Sequence, residues 1–176
     1  MEFAVATAVK GMNLTWTAGQ SCGSTSRLLV HESLYDDVVE GVTEAFSQLK
    51  LGIPSDKRTE MGCLTTGPHF NKVRDYLAIG LAEGAKMTTG GLPDQSPHPD
   101  GYFVRPTVFS DVDPNMRIAN EEIFGPILSV IPWKSDNRVL EIANSVDYGL
   151  TAGILSNDIN QALRMSREIQ AGYVWV

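Results

Sequence analysis

Cysteine and histidine are scarce in this sequence. Its two cysteines, Cys22 and Cys63, lie far apart and form no Cys-x-x-Cys pair, which excludes a disulfide framework and favours free thiols in a reducing compartment. The three histidines, His31, His69 and His98, are scattered without an i, i+3 or i+4 repeat, so spacing supplies no metal site and none is expected. Positive charge is also short, with 14 Lys and Arg against 21 Asp and Glu and a net charge of −7. Without a basic cluster to release counterions, neither nucleic acid nor an anionic membrane is expected as a partner. No apolar run reaches the roughly 18 residues of a membrane span, and the first residues lack the basic-then-apolar order of a secretory signal. A cytoplasmic location is the expectation.

Phosphate-binding signatures are missing too. The 16 glycines include no Gly-x-Gly and no Gly-rich turn ending in Gly-Lys-Ser/Thr, which excludes the dinucleotide fingerprint and the P-loop from these residues. A phosphatase-type cysteine loop fails by one position, because Leu28 stands where such a loop needs arginine and Arg27 is one residue short.

What is present is alternation. Residues 2–16 carry apolar side chains at helical spacing and read as one helix ending near Gly19. RLLVHE (27–32) favours a strand, and residues 35–50 place Val38, Val39, Val42, Ala45, Phe46 and Leu49 on a helical stripe. A second helical period runs through Phe70, Val73, Leu77 and Leu81, with Gly84 as its C-cap before the short segment AKMTTGG. GGLPDQSPHPDG (90–101) is an exposed loop. Beyond it, YFVRPTVFSDV, PILSVIPW, LTAGILS and GYVWV read as strands, while SDNRVLEIANSV and NDINQALRMSREI read as helices opened by Asp or Asn. Strands alternating with helices imply crossover connections, hence an α/β fold with a twisted, mostly parallel sheet and helices on both faces. The length suits one domain over residues 1–176.

Two stretches carry candidate chemistry. In TWTAGQSCGSTSRLLV (15–30), Cys22 lies between two glycines and several hydroxyl residues just before an apolar run. It is either a small packing residue or a nucleophile whose turn leaves backbone N–H groups available as oxyanion donors. No histidine adjoins it to act as a base. In NEEIFGPILSV (120–130), Glu121 and Glu122 precede Ile-Phe-Gly-Pro. They read as a polar turn before a strand with Phe124 in the core, or as a two-oxygen acceptor for vicinal ribose hydroxyls beside an aromatic face.

Taken together, GQSCGSTSRLLVHESLYDDVV, GYFVRPTVF, EEIFGP, AN…YGLTAG and AGYVWV occur in an order that resembles the aldehyde dehydrogenase superfamily along essentially the whole chain. The resemblance implies that Cys22 is the catalytic nucleophile, that Glu122 holds the nicotinamide ribose and that Phe124 packs near the nicotinamide. It also implies that Trp16, Ser21 and Gly23 border the aldehyde, that NAD or NADP is the cofactor, and that the parent enzyme is a homo-oligomer. MGCLTT departs from the family's Met-Gly-Pro-Leu, so Cys63 replaces a proline and is expected to be a bystander thiol. The segment that carries the family's general-base glutamate and oxyanion-hole asparagine has no counterpart here, nor has its C-terminal oligomerisation segment. The resemblance therefore implies a catalytic domain without its cofactor domain, and an isolated chain without dehydrogenase activity. Two other functions stay open at this level: a non-catalytic binding or assembly module, and a thiol hydrolase or redox-sensing domain acting through Cys22.

Overall fold

The computed structural model describes residues 1–176. Along the chain run α1 (Glu2–Gly11), α2 (Leu14–Thr17), β1 (Arg27–His31), α3 (Tyr35–Gln48), α4 (Gly67–Ala82), β2 (Lys86–Gly91), β3 (Arg105–Ser110), α5 (Arg117–Asn120), β4 (Ile127–Trp133), α6 (Asp136–Ala143), β5 (Thr151–Gly153), α7 (Ile159–Glu168) and β6 (Tyr173–Trp175). Four strands form one sheet in the order β1-β4-β3-β2. β1 and β3 both lie parallel to β4, and only β2 runs antiparallel, on the outer side of β3. β5 and β6 pair in parallel as a separate two-stranded sheet. The sheet is mostly parallel, as expected, but the last two strands stand apart from the first four.

The central strands explain the layering. β4 is buried from Ile127 to Ile131 and β3 from Pro106 to Ser110, at positions pointing to both faces. Such strands need cover on both sides, which crossover helices provide. Phe109 and Ile118 both lie against Gly80 of α4, while α3 packs across β1, β2 and β3 and also against α1. Two hydroxyls buried in these strands have backbone partners: Ser129 Oγ donates to Ile118 O at 2.9 Å, and Thr107 Oγ1 donates to Arg105 O at 2.8 Å.

One expectation fails in an informative way. Residues 2–16 are not one helix, because Asn13 turns left-handed at φ 54 between α1 and α2. Met12 and Leu14 are both buried, and residues two apart on a continuous helix point to nearly opposite sides. The break buries both. Asparagine tolerates this conformation, and its side-chain amide donates to Gly11 O at 3.3 Å. α4 starts at a side-chain cap, with Thr66 accepting from the His69 amide and Pro68 in the first turn. It stops at Gly84, which takes φ +97.

Candidate active site

The site begins at the end of α2. Ala18 and Gly19 both adopt positive φ, 52 and 75, which ends the helix and turns the chain outward. The Ser24 amide then donates to Ser21 O at 3.0 Å, closing a turn with Cys22 exposed in it. The Gly23 amide is satisfied by Ser21 Oγ at 3.2 Å. The amides of Ser21 and Cys22 donate to no protein atom, so two successive N–H groups are free beside the thiol. Free donors of this kind stabilise an oxyanion that forms within their reach. Trp16, on α2, is 86% exposed.

Two clasps hold this turn. On one side Ser24 Oγ donates to Met12 O at 3.1 Å and accepts from Asn13 Nδ2 at 3.4 Å, so the helix break also anchors the turn. On the other, Gln20 Nε2 donates to Thr17 O at 2.9 Å, while its Oε1 accepts from both the amide and the hydroxyl of Thr65 at 3.0 Å. Thr65 lies just before the N-cap of α4.

The second stretch follows α5. Glu121 is committed to structure: Arg117 pairs with its carboxylate at 2.8 Å and the Tyr76 hydroxyl donates to it. The Arg117 guanidinium, with Tyr76 second, holds this carboxyl well below the usual range, at about 2. Burial first and the Glu121 contact second push the Tyr76 phenol up. Glu122 is exposed, and its carboxylate makes no hydrogen bond or ion pair. Its backbone carbonyl accepts from Lys72 Nζ at 2.7 Å, and the carbonyl of Phe124 accepts from His69 Nε2 at 2.7 Å. His69 and Lys72, three apart on α4, thus hold the loop in which Phe124 takes the left-handed φ of 61.

Gly19 joins the two stretches. A Cβ built on it would lie 2.4 Å from Gly125 O and 2.9 Å from Pro126 N, so the backbones of the thiol turn and of the Glu122 loop are in direct contact. Two surface depressions, of about 330 Å³ around Asp111, Asp113 and Arg138 and about 620 Å³ around Asp36, Glu40 and Thr88, involve none of these residues. No three His, Cys, Asp or Glu side chains converge as a metal site would require.

Set beside known proteins, the sequence matches the pattern of the aldehyde dehydrogenase family over residues 1–176. The chain belongs to that family. It is 43% identical over 181 residues to aldehyde dehydrogenase tropH of Talaromyces stipitatus, covering 100% of this chain and 35% of that one. It is 40% identical over 176 residues to retinal dehydrogenase 2 of Mus musculus, covering 100% and 33%. Betaine aldehyde dehydrogenase of Staphylococcus aureus, solved in complex with NAD+, superposes at a TM-score of 0.93 with 36% identity over 99% of this chain and 34% of that one. An NAD+ complex of aldehyde dehydrogenase from Bacillus cereus gives 0.92 with 38% identity over 99% and 34%. The chain spans about a third of the length of these relatives.

Within this aldehyde dehydrogenase segment, the sequence-derived candidates fall into two groups joined at Gly19: Trp16, Ser21, Cys22 and Gly23 on one side, Glu122 and Phe124 on the other. Gln20, Thr65, His69 and Lys72, which hold these groups, are absent from the sequence-derived candidates. The one local signal in their neighbourhood is the helix start at Thr66 and Pro68, which marks an element boundary and names none of them.

Proposed function

We propose that this chain is the nucleophile-bearing, catalytic part of an NAD(P)-dependent aldehyde dehydrogenase, which oxidises an aldehyde to a carboxylic acid through a cysteine thioester. The observation that carries the reading is the exposed Cys22 thiol beside the two free amides of Ser21 and Cys22, on a segment whose Gly19 is in direct backbone contact with the loop that presents the unpaired Glu122 carboxylate.

In this reading Cys22 Sγ, as the thiolate, attacks the aldehyde carbon. A C–S bond forms, the carbonyl π pair moves to oxygen, and the amides of Ser21 and Cys22 stabilise the oxyanion. Trp16, Ser21 and Gly23 border the aldehyde. Glu122 fits the vicinal hydroxyls of the nicotinamide ribose, because both of its oxygens are free acceptors while its backbone is held by Lys72. Phe124 lies next to it, with its carbonyl fixed by His69. When bound, NAD or NADP would supply the hydride acceptor, as NAD+ is bound in the Staphylococcus and Bacillus relatives.

The acyl group is then held on Cys22 Sγ as a thioester, and its hydrolysis needs a general base. Glu121 is engaged by Arg117 and Tyr76, and His69 by Phe124 O, so neither fills that role. The base, the remaining dinucleotide contacts and the oligomer contacts belong, in this proposal, to the other two thirds of a family-length polypeptide.

Brief iodoacetamide treatment of the folded chain near neutral pH, followed by peptide mass spectrometry, tests the role of Cys22. Labelling of Cys22 ahead of the half-exposed Cys63 is the expected result. Equal labelling, or labelling of Cys63 first, would remove the nucleophile from the proposal.

A further inference from the structure

We propose that Gln20 is a positioning residue for acyl transfer. Its side chain locks the thiol turn to the start of α4 and so keeps the amides of Ser21 and Cys22 aimed as oxyanion donors. The proposal rests on the nucleophile reading of Cys22.

Gln20 is two residues before Cys22 and uses both ends of its amide. Nε2 donates back to Thr17 O at 2.9 Å, on the last turn of α2, and Oε1 accepts two hydrogen bonds from Thr65 at 3.0 Å. The chain reverses at Ala18 and Gly19 through two positive φ values, and the next backbone hydrogen bond beyond Gln20 is the Ser24–Ser21 closure. Between them the amides of Ser21 and Cys22 have no partner of their own to fix their direction. Their orientation is therefore set by what holds the flanking residues: Ser24 on the β1 side and Gln20 on the α2 side.

α4 gives Gln20 a firm anchor. The helix whose start receives Gln20 also sends His69 and Lys72 to the carbonyls of Phe124 and Glu122. One rigid element thereby registers the nucleophile turn against the loop bearing the free carboxylate. An oxyanion donor displaced by about 1 Å loses much of its effect, because the stabilisation depends on preorganised distance and direction.

The physical consequence separates two reactions of one thiol. Acylation by an activated ester passes through a tetrahedral oxyanion and uses the amides: Sγ bonds to the acyl carbon, the alkoxide or phenolate leaves with its electron pair, and the thiol proton goes to solvent. Alkylation by iodoacetamide displaces iodide at carbon without any oxyanion, and uses only the accessible thiolate. A positioning role for Gln20 predicts that its loss slows the first and spares the second.

The test is made on the 176-residue chain. Acylation of Cys22 by p-nitrophenyl acetate is followed as the p-nitrophenol burst and assigned by peptide mass spectrometry, and alkylation of Cys22 by iodoacetamide is timed in parallel. Gln20→Leu should lower the acylation rate about tenfold and leave alkylation within about twofold. Thr65→Val, which keeps the Thr65 amide but removes its hydroxyl donor, should lower acylation by a smaller factor. The double variant should be no slower than Gln20→Leu alone, because both changes break one clasp. Acylation and alkylation falling together, or acylation unchanged in both variants, would overturn the positioning role. An unaltered chain in which Cys22 takes no acyl group would overturn the nucleophile reading and the positioning role with it. Cys22 acylated in the unaltered chain but indifferent to Gln20 and Thr65 would overturn the positioning role alone. Should Gln20→Leu not fold, Thr65→Val and its reversal by Thr65→Ser decide the matter.

Discussion

Alanine at position 19 would need a methyl group 2.4 Å from Gly125 O while holding φ +75. The obstacle is backbone, which cannot rotate away as a side chain could, so Gly19→Ala should cost about 2–4 kcal/mol, strain and overpacking combined. Gly84→Ala is the control: it has φ +97 but open space around its Cβ position, and should cost only about 1 kcal/mol. Urea unfolding of both variants measures the difference. The two adjacent glutamates separate as sharply. Glu121, pulled down to about 2 by Arg117 and Tyr76, stabilises the fold fully above its ordinary value of 4.5 and loses that contribution as pH falls from there through about 2. Glu121→Gln should therefore lower the unfolding midpoint at pH 6, and the gap to the unaltered chain should close on acidification toward pH 2.5. A gap that widens on acidification would contradict the assignment. Arg117, one helical turn before Glu121, stands at the i, i+4 spacing of an ion pair, although the sequence analysis named no partner for either glutamate. Tyr76 has no such local spacing, because it arrives from α4, and so the sequence alone left the two carboxylates indistinguishable by environment.

Helices and strands were the most legible level, for reasons particular to each. α3 and α4 showed their apolar stripes in the sequence, and β3 and β4 their unbroken buried runs, because a central parallel strand needs apolar residues facing both layers. α7 was marked by its cap, since Asp158 accepts from the amides of Asn160 and Gln161. Asp158→Ala should cost about 1 kcal/mol by thermal or urea unfolding, and a neutral result would show that packing of Ala162 and Met165 alone sets the helix start. The division of residues 2–16 into α1 and α2 was missed because periodicity was followed through Gly11-Met12-Asn13, where Gly and Asn together signal a turn. That miss matters for the site. The break carries Asn13 to Ser24 and so anchors the thiol turn, and no pattern within one element announces a contact between two. α5, a helix of four residues, was also missed, being too short to show a period.

At the scale of the molecule, alternation along the sequence implied an α/β sheet, and the sheet is there, yet β5–β6 stands apart from β1-β4-β3-β2. Strand order and sheet membership depend on contacts distant in sequence, which local pattern does not encode. Tyr173 and Trp175 of β6, with Tyr148 and Leu150 beside β5, are exposed large side chains on a parallel pair, a class of sheet that is normally covered on both faces. Function divides in the same way. The backbone at Gly19 meets the loop that carries Glu122 within these residues, but the sequence holds no Gly-rich phosphate turn, and Glu122 and Phe124 contact one end of a dinucleotide in the proposed arrangement. Their contacts do not offset the cost of immobilising a flexible ligand. The 176-residue chain mixed with NAD or NADP and a panel of aldehydes should give no reduced-nicotinamide absorbance.

The most direct test of the proposed role supplies the missing context. The 176 residues replace the matching third of the Bacillus cereus aldehyde dehydrogenase, to which they are 38% identical at a TM-score of 0.92, and NAD+ reduction by aldehydes is followed in the purified chimera and in its Cys22→Ala and Glu122→Gln variants. Aldehyde-dependent NADH in the chimera is expected. Cys22→Ala should abolish it, and Glu122→Gln should lower turnover about tenfold, a change of roughly 1.4 kcal/mol in the barrier. A folded chimera that binds NAD+ without oxidising any aldehyde, or one whose activity survives the loss of Cys22, would contradict the account.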